Sequence, residues 1–292
     1  FPPTMKTPRL IALALLAALP LAAADFKDHL GMQLYSLRNQ FKADGPVKTL
    51  DLLKSYGITE VETWSGTGLT TEQLAAELKT RGIKAVSSHI QYADFQKDVN
   101  AVIANAKILG VQYVIVPILG GRSLKDEDAH RIANDFNTWG AALKAAGLKF
   151  GFHTHGAEFA ASAAGNGETL FDIILRETKP DLVCYEMDVL WTYQAGQDPV
   201  KLLNKYPDRW VMLHVKDLRK GAPVGFDPAT GQRRNINNAT DQVAVGAGEI
   251  NWPAILVAAQ KAGVKYYLLE DETPMPIEAI PASLTYLRGL KL

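Results

Sequence analysis

The sequence predicts an α/β fold, a single-domain (βα)8 barrel. Short apolar runs alternate with longer segments of helical period, which is the pattern of repeated βα units. Eight such runs occur, near residues 31–36, 58–63, 83–89, 112–117, 148–153, 182–188, 210–215 and 265–270. The chain has 292 residues, and one barrel of this kind needs about 250. A second full domain is therefore not expected.

Helical segments lie between these runs, and several of them stop at a glycine. The helix-like stretches include residues 71–81, 94–109, 126–146 and 252–262. Gly82, Gly110, Gly147 and Gly263 follow them at the position where helices commonly end, because glycine adopts a left-handed backbone conformation without steric cost. The next apolar run begins within a few residues of each glycine, as the repeated βα pattern requires.

The first 24 residues have the pattern of a signal peptide. Met5 opens a short basic segment, residues 10–21 are apolar, and three alanines at 22–24 form a cleavage site before Asp25. We expect residues 1–4, which precede Met5, to be non-native and the barrel to span residues 25–292. The alternative is an uncleaved anchor, although a membrane span takes about 20 apolar residues. The sequence thus predicts an exported, periplasmic protein with no stable membrane partner after cleavage.

Composition excludes several classes of partner. The 31 basic and 31 acidic residues cancel, which argues against nucleic acid and against anionic membrane surfaces. An endonuclease-like activity would need a basic surface and a multi-metal cluster, and the zero net charge and six histidines argue against it. The single cysteine, Cys184, lies in an apolar run and is interpreted as a buried core thiol. We expect a small, neutral molecule as partner; a homo-oligomer is possible.

Ionisable residues end five of the apolar runs. Because the carboxyl ends of parallel barrel strands meet at one face, side chains at those ends come together in the active sites of such barrels. The pattern therefore predicts an enzyme with its site at this face. The residues concerned are His89, His153, His155, Glu186, Asp188, His214 and Glu270.

The fifth and sixth runs each carry a pair of polar residues two positions apart. His153 and His155 point the same way on an extended chain, either to share a site or simply to form hydrogen bonds at the mouth. Glu186 and Asp188 repeat this spacing, and two buried carboxylates on one side would repel each other unless a cation or a proton intervenes. The alternative is an ion pair between one of them and either Lys216 or an arginine.

The seventh and eighth runs complete a mixed set of histidine and carboxylate ligands. His214 and Lys216 share one side of a strand, and Glu270 ends the eighth run, while Asp271 and Glu272 are expected on a solvated rim. Such a set suits one divalent ion, Mn²⁺, Zn²⁺, Co²⁺ or Fe²⁺, better than Ca²⁺. A long connection, residues 217–249, follows the seventh run, and we expect it to lie over the mouth.

Five segments in this order carry a resemblance to a known family. The chain resembles the xylose isomerase-like TIM barrel superfamily, most closely its sugar phosphate isomerase/epimerase branch, over about residues 31–290. The resemblance implies one divalent ion held by His153, Asp188, His214 and Glu270. At the position of His153, relatives that epimerise free ketoses usually have a glutamate, which serves as ligand and base at once. The segments are residues 31–37, 152–159, 186–191, 213–217 and 245–252.

The chemistry that best fits is removal of a proton next to a sugar carbonyl, assisted by the metal. The candidate catalytic residues are Glu158, Glu186 and Glu270 as bases and Lys216, which could stabilise the oxyanion or neutralise Glu186. The predicted substrate-binding residues are His89, His155, Trp191 and Asp217, with a packed core position as the alternative for Trp191.

The fate of the resulting enediolate decides the type of reaction. Reprotonation gives a sugar isomerase or epimerase, which is the first hypothesis, whereas loss of the aglycone from a keto-glycoside would make the protein a lyase. A non-catalytic sugar-binding barrel is the third possibility. Because the sequence has no Gly-rich phosphate loop and no arginine cluster at the mouth, we expect a free or glycosidic carbohydrate substrate and not a sugar phosphate.

Overall fold

The computed structural model describes residues 25–119, 124–227 and 232–292; the predicted signal peptide, residues 1–24, lies outside them. In the described residues eight parallel strands close into a barrel, which confirms the predicted (βα)8 fold. The described residues contain ten strands, of which all but β8 and β9 belong to the barrel: β1 (Leu30–Gln33), β2 (Glu60–Thr63), β3 (Lys84–His89), β4 (Tyr113–Val116), β5 (Lys149–His153), β6 (Val183–Asp188), β7 (Trp210–Val215), β8 (Asp217–Leu218), β9 (Gln242–Val243) and β10 (Tyr266–Leu269).

Strand order fixes which side chains meet at the mouth. Around the barrel the order is β1, β10, β7, β6, β5, β4, β3, β2, while β8 and β9 form a separate antiparallel pair. The register sets His153 beside Glu186 on β5 and β6, and Asp188 beside His214 on β6 and β7. Residues that are far apart in sequence therefore reach the same level of the barrel.

Twelve α-helices of the described residues follow the strands. The predicted helix over residues 94–109 is in fact two helices, because Asp98 has an extended backbone and its carboxylate accepts hydrogen bonds from the amides of Asn100 and Ala101. The helices are α1 (Arg38–Ala43), α2 (Pro46–Ser55), α3 (Thr71–Thr80), α4 (Tyr92–Lys97), α5 (Val99–Leu109), α6 (Asp126–Ala145), α7 (Leu170–Glu177), α8 (Val189–Gln194), α9 (Pro199–Lys205), α10 (Asn238–Asp241), α11 (Trp252–Lys261) and α12 (Pro276–Gly289).

Three short 3-10 helices in the described ranges adjust the chain near the strands: Phe26–His29, Leu34–Leu37 and Ala157–Phe159. The first apolar run was predicted to extend to residue 36, but β1 ends at Gln33 because the Gln33 side chain accepts a hydrogen bond from the Tyr35 amide and opens a turn. Within the part of the chain described, none of the helices has both the length and the apolar character needed to cross a membrane.

Aromatic side chains fill the layer between strands and helices. Phe171 stacks on Trp210 with ring centroids 5.5 Å apart, and Phe136 packs against Phe150 at 4.9 Å. Cys184 is half-buried on β6, where its thiol donates to the Phe150 carbonyl oxygen and burial raises its pKa to about 12. A thiol with this pKa stays protonated at neutral pH, which agrees with a structural role.

Candidate metal centre and active site

The residues predicted to hold a metal lie inside the barrel at the carboxyl ends of β5, β6, β7 and β10. Asp188 and His214 are fully buried, His153 is 2% exposed and Glu270 is 7% exposed. Each side chain stands where its strand ends, so the barrel geometry alone brings them into one site. The structure thus brings together the four residues that the resemblance implies.

Three of the four form one compact group. Ligand atoms of Asp188, His214 and Glu270 lie within 4.8 Å of one another. His214 Nδ1 is 2.9 Å from Glu270 Oε2. Lys216 Nζ stands beside this group, 3.0 Å from Asp188 Oδ2 and 2.5 Å from Glu270 Oε2.

A second group lies deeper and shares His214 with the first. It consists of His89, His153, Glu186 and His214. Glu186 Oε2 is 2.9 Å from His153 Nδ1 and 3.0 Å from His89 Nε2. His153 therefore contacts Glu186 more closely than Asp188, which is 3.6 Å from His153 Nε2.

Glu62 on β2 adjoins this second group, although it was not among the site residues predicted from the sequence. It is fully buried, and its Oε2 lies 2.7 Å from His214 Nε2, 2.9 Å from His89 Nε2 and 2.8 Å from Gln33 Nε2, which donates to it. The sequence contains a signal for it, because Glu62 is the next-to-last residue of the second run and so lies near the same strand end as the other site residues. It was overlooked because the alternation of Glu60, Val61 and Glu62 is typical of a half-exposed strand.

Glu272 is a second residue of the site that was not predicted from the sequence. Its Oε2 accepts a hydrogen bond from Lys216 Nζ at 2.8 Å, although this residue was expected on a solvated rim. Asp271 was expected there as well and is instead 4% exposed, because its Oδ1 accepts hydrogen bonds from the Thr273 amide and hydroxyl. The chain after β10 therefore folds inward over the site.

Opposite charges in this site stabilise one another. Burial alone would lower the pKa of His89, but the carboxylates of Glu62 and Glu186 outweigh it and raise the pKa to about 9. Burial would raise the pKa of Glu186, yet His214 and His153 hold it well below its usual value. For Lys216, the desolvation that lowers its pKa is outweighed by Asp188, Glu270 and Glu272, which raise it well above 10.5.

The donor set fits a divalent ion. Three buried carboxylate oxygens of this site, Glu62 Oε1, Glu186 Oε1 and Asp188 Oδ2, accept no aligned hydrogen bond within the described residues. The last two face charged groups, since Glu186 Oε1 is 3.3 Å from His214 Nε2 and Asp188 Oδ2 is 3.0 Å from Lys216 Nζ. Unsatisfied carboxylate oxygens beside histidine nitrogens are the ligands that Zn²⁺ and related ions prefer.

A cavity of about 290 Å³ opens directly onto these groups. This volume is at the small end of the range for small-molecule sites, about 300–1,000 Å³. His155, which the sequence predicted to bind substrate, also lines this cavity. The principal lining residues are Tyr35, Trp64, His89, His153, His155, Lys216, Glu270 and Glu272.

His155 rests on a stack of planar side chains. Its ring lies over Trp191 at a centroid distance of 5.0 Å and an angle of 26°, and the Arg233 guanidinium covers the same indole at 4.5 Å. Trp191 is only 6% exposed and does not line the cavity, so the predicted alternative, a packed aromatic, describes it better. Burial, with His153 and Lys216 nearby, lowers the pKa of His155 well below 6.5.

Glu158 does not contact either metal-ligand group. Its Oε1 accepts hydrogen bonds from the amides of His155 and Gly156, at 2.7 and 3.0 Å, and burial raises its pKa. Gly156 has a φ of 99°, a left-handed conformation that turns the chain back and aims Glu158 at its own backbone. Glu158 therefore holds the turn that carries His155.

Asp217 likewise serves the backbone. It is 1% exposed, and its two carboxylate oxygens accept hydrogen bonds from the amides of Leu218, Gly246, Gly248 and Ile250. Four amide donors occupy the oxygens that a substrate would need, in contrast with the substrate contact expected from sequence. Asp217 instead fastens the end of the long connection beneath the mouth.

Comparison with known proteins agrees with this architecture. A family model of xylose isomerase-like TIM barrels matches residues 50–290. Inosose dehydratase 1 of Bacillus cereus is 26% identical over 182 residues, which cover 60% of this chain and 57% of that protein. The chain thus spans about half the length of the curated relatives that it matches.

Solved structures show the same fold along nearly the whole chain. A sugar phosphate isomerase/epimerase from Parabacteroides distasonis superposes with a TM-score of 0.73 at 24% identity, covering 94% of this chain and 97% of that one. An IolI protein with a bound zinc atom superposes with a TM-score of 0.63 at 16% identity, covering 89% and 94%. Since the family model covers most of the chain and the barrel is closed, the protein belongs to the xylose isomerase-like TIM barrel family.

Proposed function

We propose that the protein is a divalent-metal-dependent enzyme that removes the proton next to the carbonyl of a free sugar or sugar derivative. One observation carries this proposal: ligand atoms of Asp188, His214 and Glu270 lie within 4.8 Å of one another next to a second group with His89, His153 and Glu186, and a small cavity opens onto both groups. The zinc atom in the IolI structure, a member of the same fold, supports the assignment of a metal.

Asp188, His214 and Glu270 would hold the ion, with His153 and Glu186 completing its surroundings from β5 and β6. When bound there, a divalent ion polarises a carbonyl and stabilises the negative charge of an enediolate. Lys216 keeps its proton between three carboxylates and lines the cavity, so it can donate a hydrogen bond to the substrate oxygen that gains charge. Mixed nitrogen and carboxylate ligands suit Mn²⁺, Zn²⁺, Co²⁺ or Fe²⁺.

His155 is the base that the geometry favours. It lines the cavity, and its Nδ1 has no hydrogen-bond partner among the described residues. Trp191 and Glu158 hold it in place, the first by stacking and the second through the His155 amide. The proton would move from the substrate carbon to the His155 imidazole and return to the neighbouring carbon, while the proton of the adjacent hydroxyl passes to the former carbonyl oxygen. Together these transfers interconvert ketose and aldose with a single base acting at carbon.

Negative charge at the mouth supports a substrate without phosphate. The Lys216 ammonium lies within 3.0 Å of three carboxylates, those of Asp188, Glu270 and Glu272. A phosphate group would meet repulsion there, whereas sugar hydroxyls would find acceptors.

A lyase is the second candidate, and the curated relatives favour it. Inosose dehydratases from Bacillus cereus and Lacticaseibacillus casei match the chain at 24–26% identity, and a dehydratase eliminates water. The same proton abstraction leads to elimination when Lys216 gives its proton to a leaving oxygen.

We also propose that the mature chain starts near Asp25 and is exported.

Solution NMR in D₂O separates these reactions. The metal-loaded protein from Asp25 onward is incubated with unphosphorylated ketoses, aldoses and keto-glycosides. Deuterium at the carbon next to the carbonyl of an otherwise intact sugar supports an isomerase or epimerase. Release of a second molecule supports the lyase. Binding without any exchange or cleavage would instead indicate a non-catalytic sugar-binding barrel.

A further inference from the structure

A groove of about 680 Å³ adjoins the candidate active site, between the barrel wall at β2 and β3 and helices α3 and α5. Trp64 lines both this groove and the catalytic cavity. The two spaces therefore share one wall, at the mouth of the barrel.

The indole of Trp64 is held firmly in this wall. It packs edge-on against Tyr35 and Phe41, at centroid distances of 5.2 and 6.4 Å. It also covers Gly66 so closely that a Cβ on that residue would lie 1.9 Å from Trp64 Cζ2. A fixed aromatic ring that borders both spaces is suited to packing against the apolar face of a sugar ring.

Two strand residues add polar groups to a groove wall that also contains apolar side chains such as Leu69 and Ile90. Thr63 and Ser88 are 1% and 3% exposed, and both line the groove on the helix side of the sheet. Their neighbours Glu62 and His89 point into the barrel, as the alternation of a strand requires. The Ser88 hydroxyl makes no hydrogen bond within the described residues, which leaves it available to a ligand in the groove.

Charge in the groove selects the kind of ligand. Of the described residues, Glu72, Asp94 and Asp98 line it together with a single cation, Lys97. This excess of carboxylates disfavours an anionic ligand, whereas carboxylates and amides accept hydrogen bonds from sugar hydroxyls. Asn105 adds such an amide from α5.

We propose that this groove is a subsite for a second sugar unit, so that the substrate is a disaccharide or other glycoside whose reacting ring occupies the catalytic cavity. The proposal rests on the function proposed above and adds the substrate class. The two rings lie on either side of Trp64, and the Ser88 hydroxyl bonds the outer one.

Binding of unmodified sugars tests the subsite without requiring turnover. Isothermal titration of the metal-loaded protein compares glucose with maltose, cellobiose, lactose, sucrose and trehalose. At least one disaccharide should bind ten or more times as tightly as glucose. The proposal is overturned if none binds at 10 mM or if glucose binds equally well, because the groove then holds only water.

Two tryptophan substitutions on α5 locate the effect. Ala101 is exposed and lines the groove, whereas Ala104 is exposed on the same helix outside it. Ala101→Trp should weaken disaccharide binding at least tenfold, while Ala104→Trp should leave it unchanged at equal thermal stability. Undiminished disaccharide binding by Ala101→Trp would rule out the subsite.

The two proposals fail in distinguishable ways. Disaccharide binding without any proton exchange or cleavage would leave the subsite standing and remove the enzymatic function. Proton exchange on monosaccharides without a preference for disaccharides would support the enzymatic function and remove the subsite.

Discussion

His214 Nε2 lies 2.7 Å from Glu62 Oε2 and so joins β7 to β2 across the barrel. The same imidazole reaches Glu270 on β10 through Nδ1. A metal-ligating histidine commonly donates its other ring N–H to a carboxylate, and Glu62 supplies such an acceptor beside Nε2 while Nδ1 faces Glu270.

Glu62→Gln should weaken metal binding about 10- to 100-fold, because the substitution removes the charge that orients His214 and His89. Metal titration monitored by calorimetry measures the effect. Glu60→Gln is the matched control, since Glu60 is on the same strand but pairs with His29. Equal affinities in both variants would show that Glu62 is unimportant to the ion.

Asp188→Asn should abolish stoichiometric metal binding while the fold persists. Asp188 begins α8 by accepting a hydrogen bond from the Trp191 amide, and asparagine is an equally good residue at this position. Asp198→Asn, at the start of α9, provides the same change away from the site. Inductively coupled plasma mass spectrometry after gel filtration gives the metal content, and full occupancy of the Asp188 variant would remove it from the ligand set.

His155→Gln should reduce turnover about 10²- to 10⁴-fold, the typical contribution of a general base, and leave the metal content unchanged. The side chain lies in the cavity but in neither metal-ligand group. The rate of deuterium incorporation next to the carbonyl is the measurement. A variant with normal exchange would transfer the role of base to Glu186 or Glu270.

Asp217→Ala should lower the free energy of unfolding by about 2–4 kcal/mol, because four backbone amides lose a charged acceptor. Metal content per folded chain should stay constant. Denaturant unfolding supplies the free energy, with Asp217→Asn as the milder comparison. A stable variant that loses only sugar affinity would restore the substrate role expected from sequence.

Asp172→Asn should lower stability at pH 7 by about 1 kcal/mol, after allowance for solvent screening. Burial would raise the pKa of Asp172, but hydrogen bonds from Lys205, Tyr206 and Thr169 outweigh it and lower the pKa to about 2 from 3.8. The folded state thus binds this proton more weakly than the unfolded chain. The contribution of the ionised group is full above about pH 4 and disappears as the pH falls through 2.

Thermal or denaturant unfolding of both proteins between pH 2 and pH 7 tests that dependence. Asp181→Asn, which alters an exposed pair with Lys144, should leave stability nearly unchanged at every pH. A constant difference between the Asp172 variant and the parent protein over this range would contradict the assignment of the shift to this carboxylate.

The barrel fold and part of the candidate metal site can be predicted from local sequence patterns. Apolar runs and their terminal residues suffice for the barrel and for Asp188, His214 and Glu270, because strand ends converge whatever the loops do. Glu158 and Asp217 could not be placed in this way. Their roles depend on the left-handed turn at Gly156 and on the return of residues 246–250 to the end of β7, which are contacts that no periodicity encodes.

The ion pairs of Lys216 bear on whether the barrel folds before or after it binds the metal. The Lys216 ammonium already lies among Asp188, Glu270 and Glu272, and the carboxylates of Glu62 and Glu186 lie within 3.3 Å of His89 and His214. The barrel can therefore close without an ion and load one afterwards. Chelation and reloading should then be fully reversible, and one preparation of protein can be filled in turn with each metal.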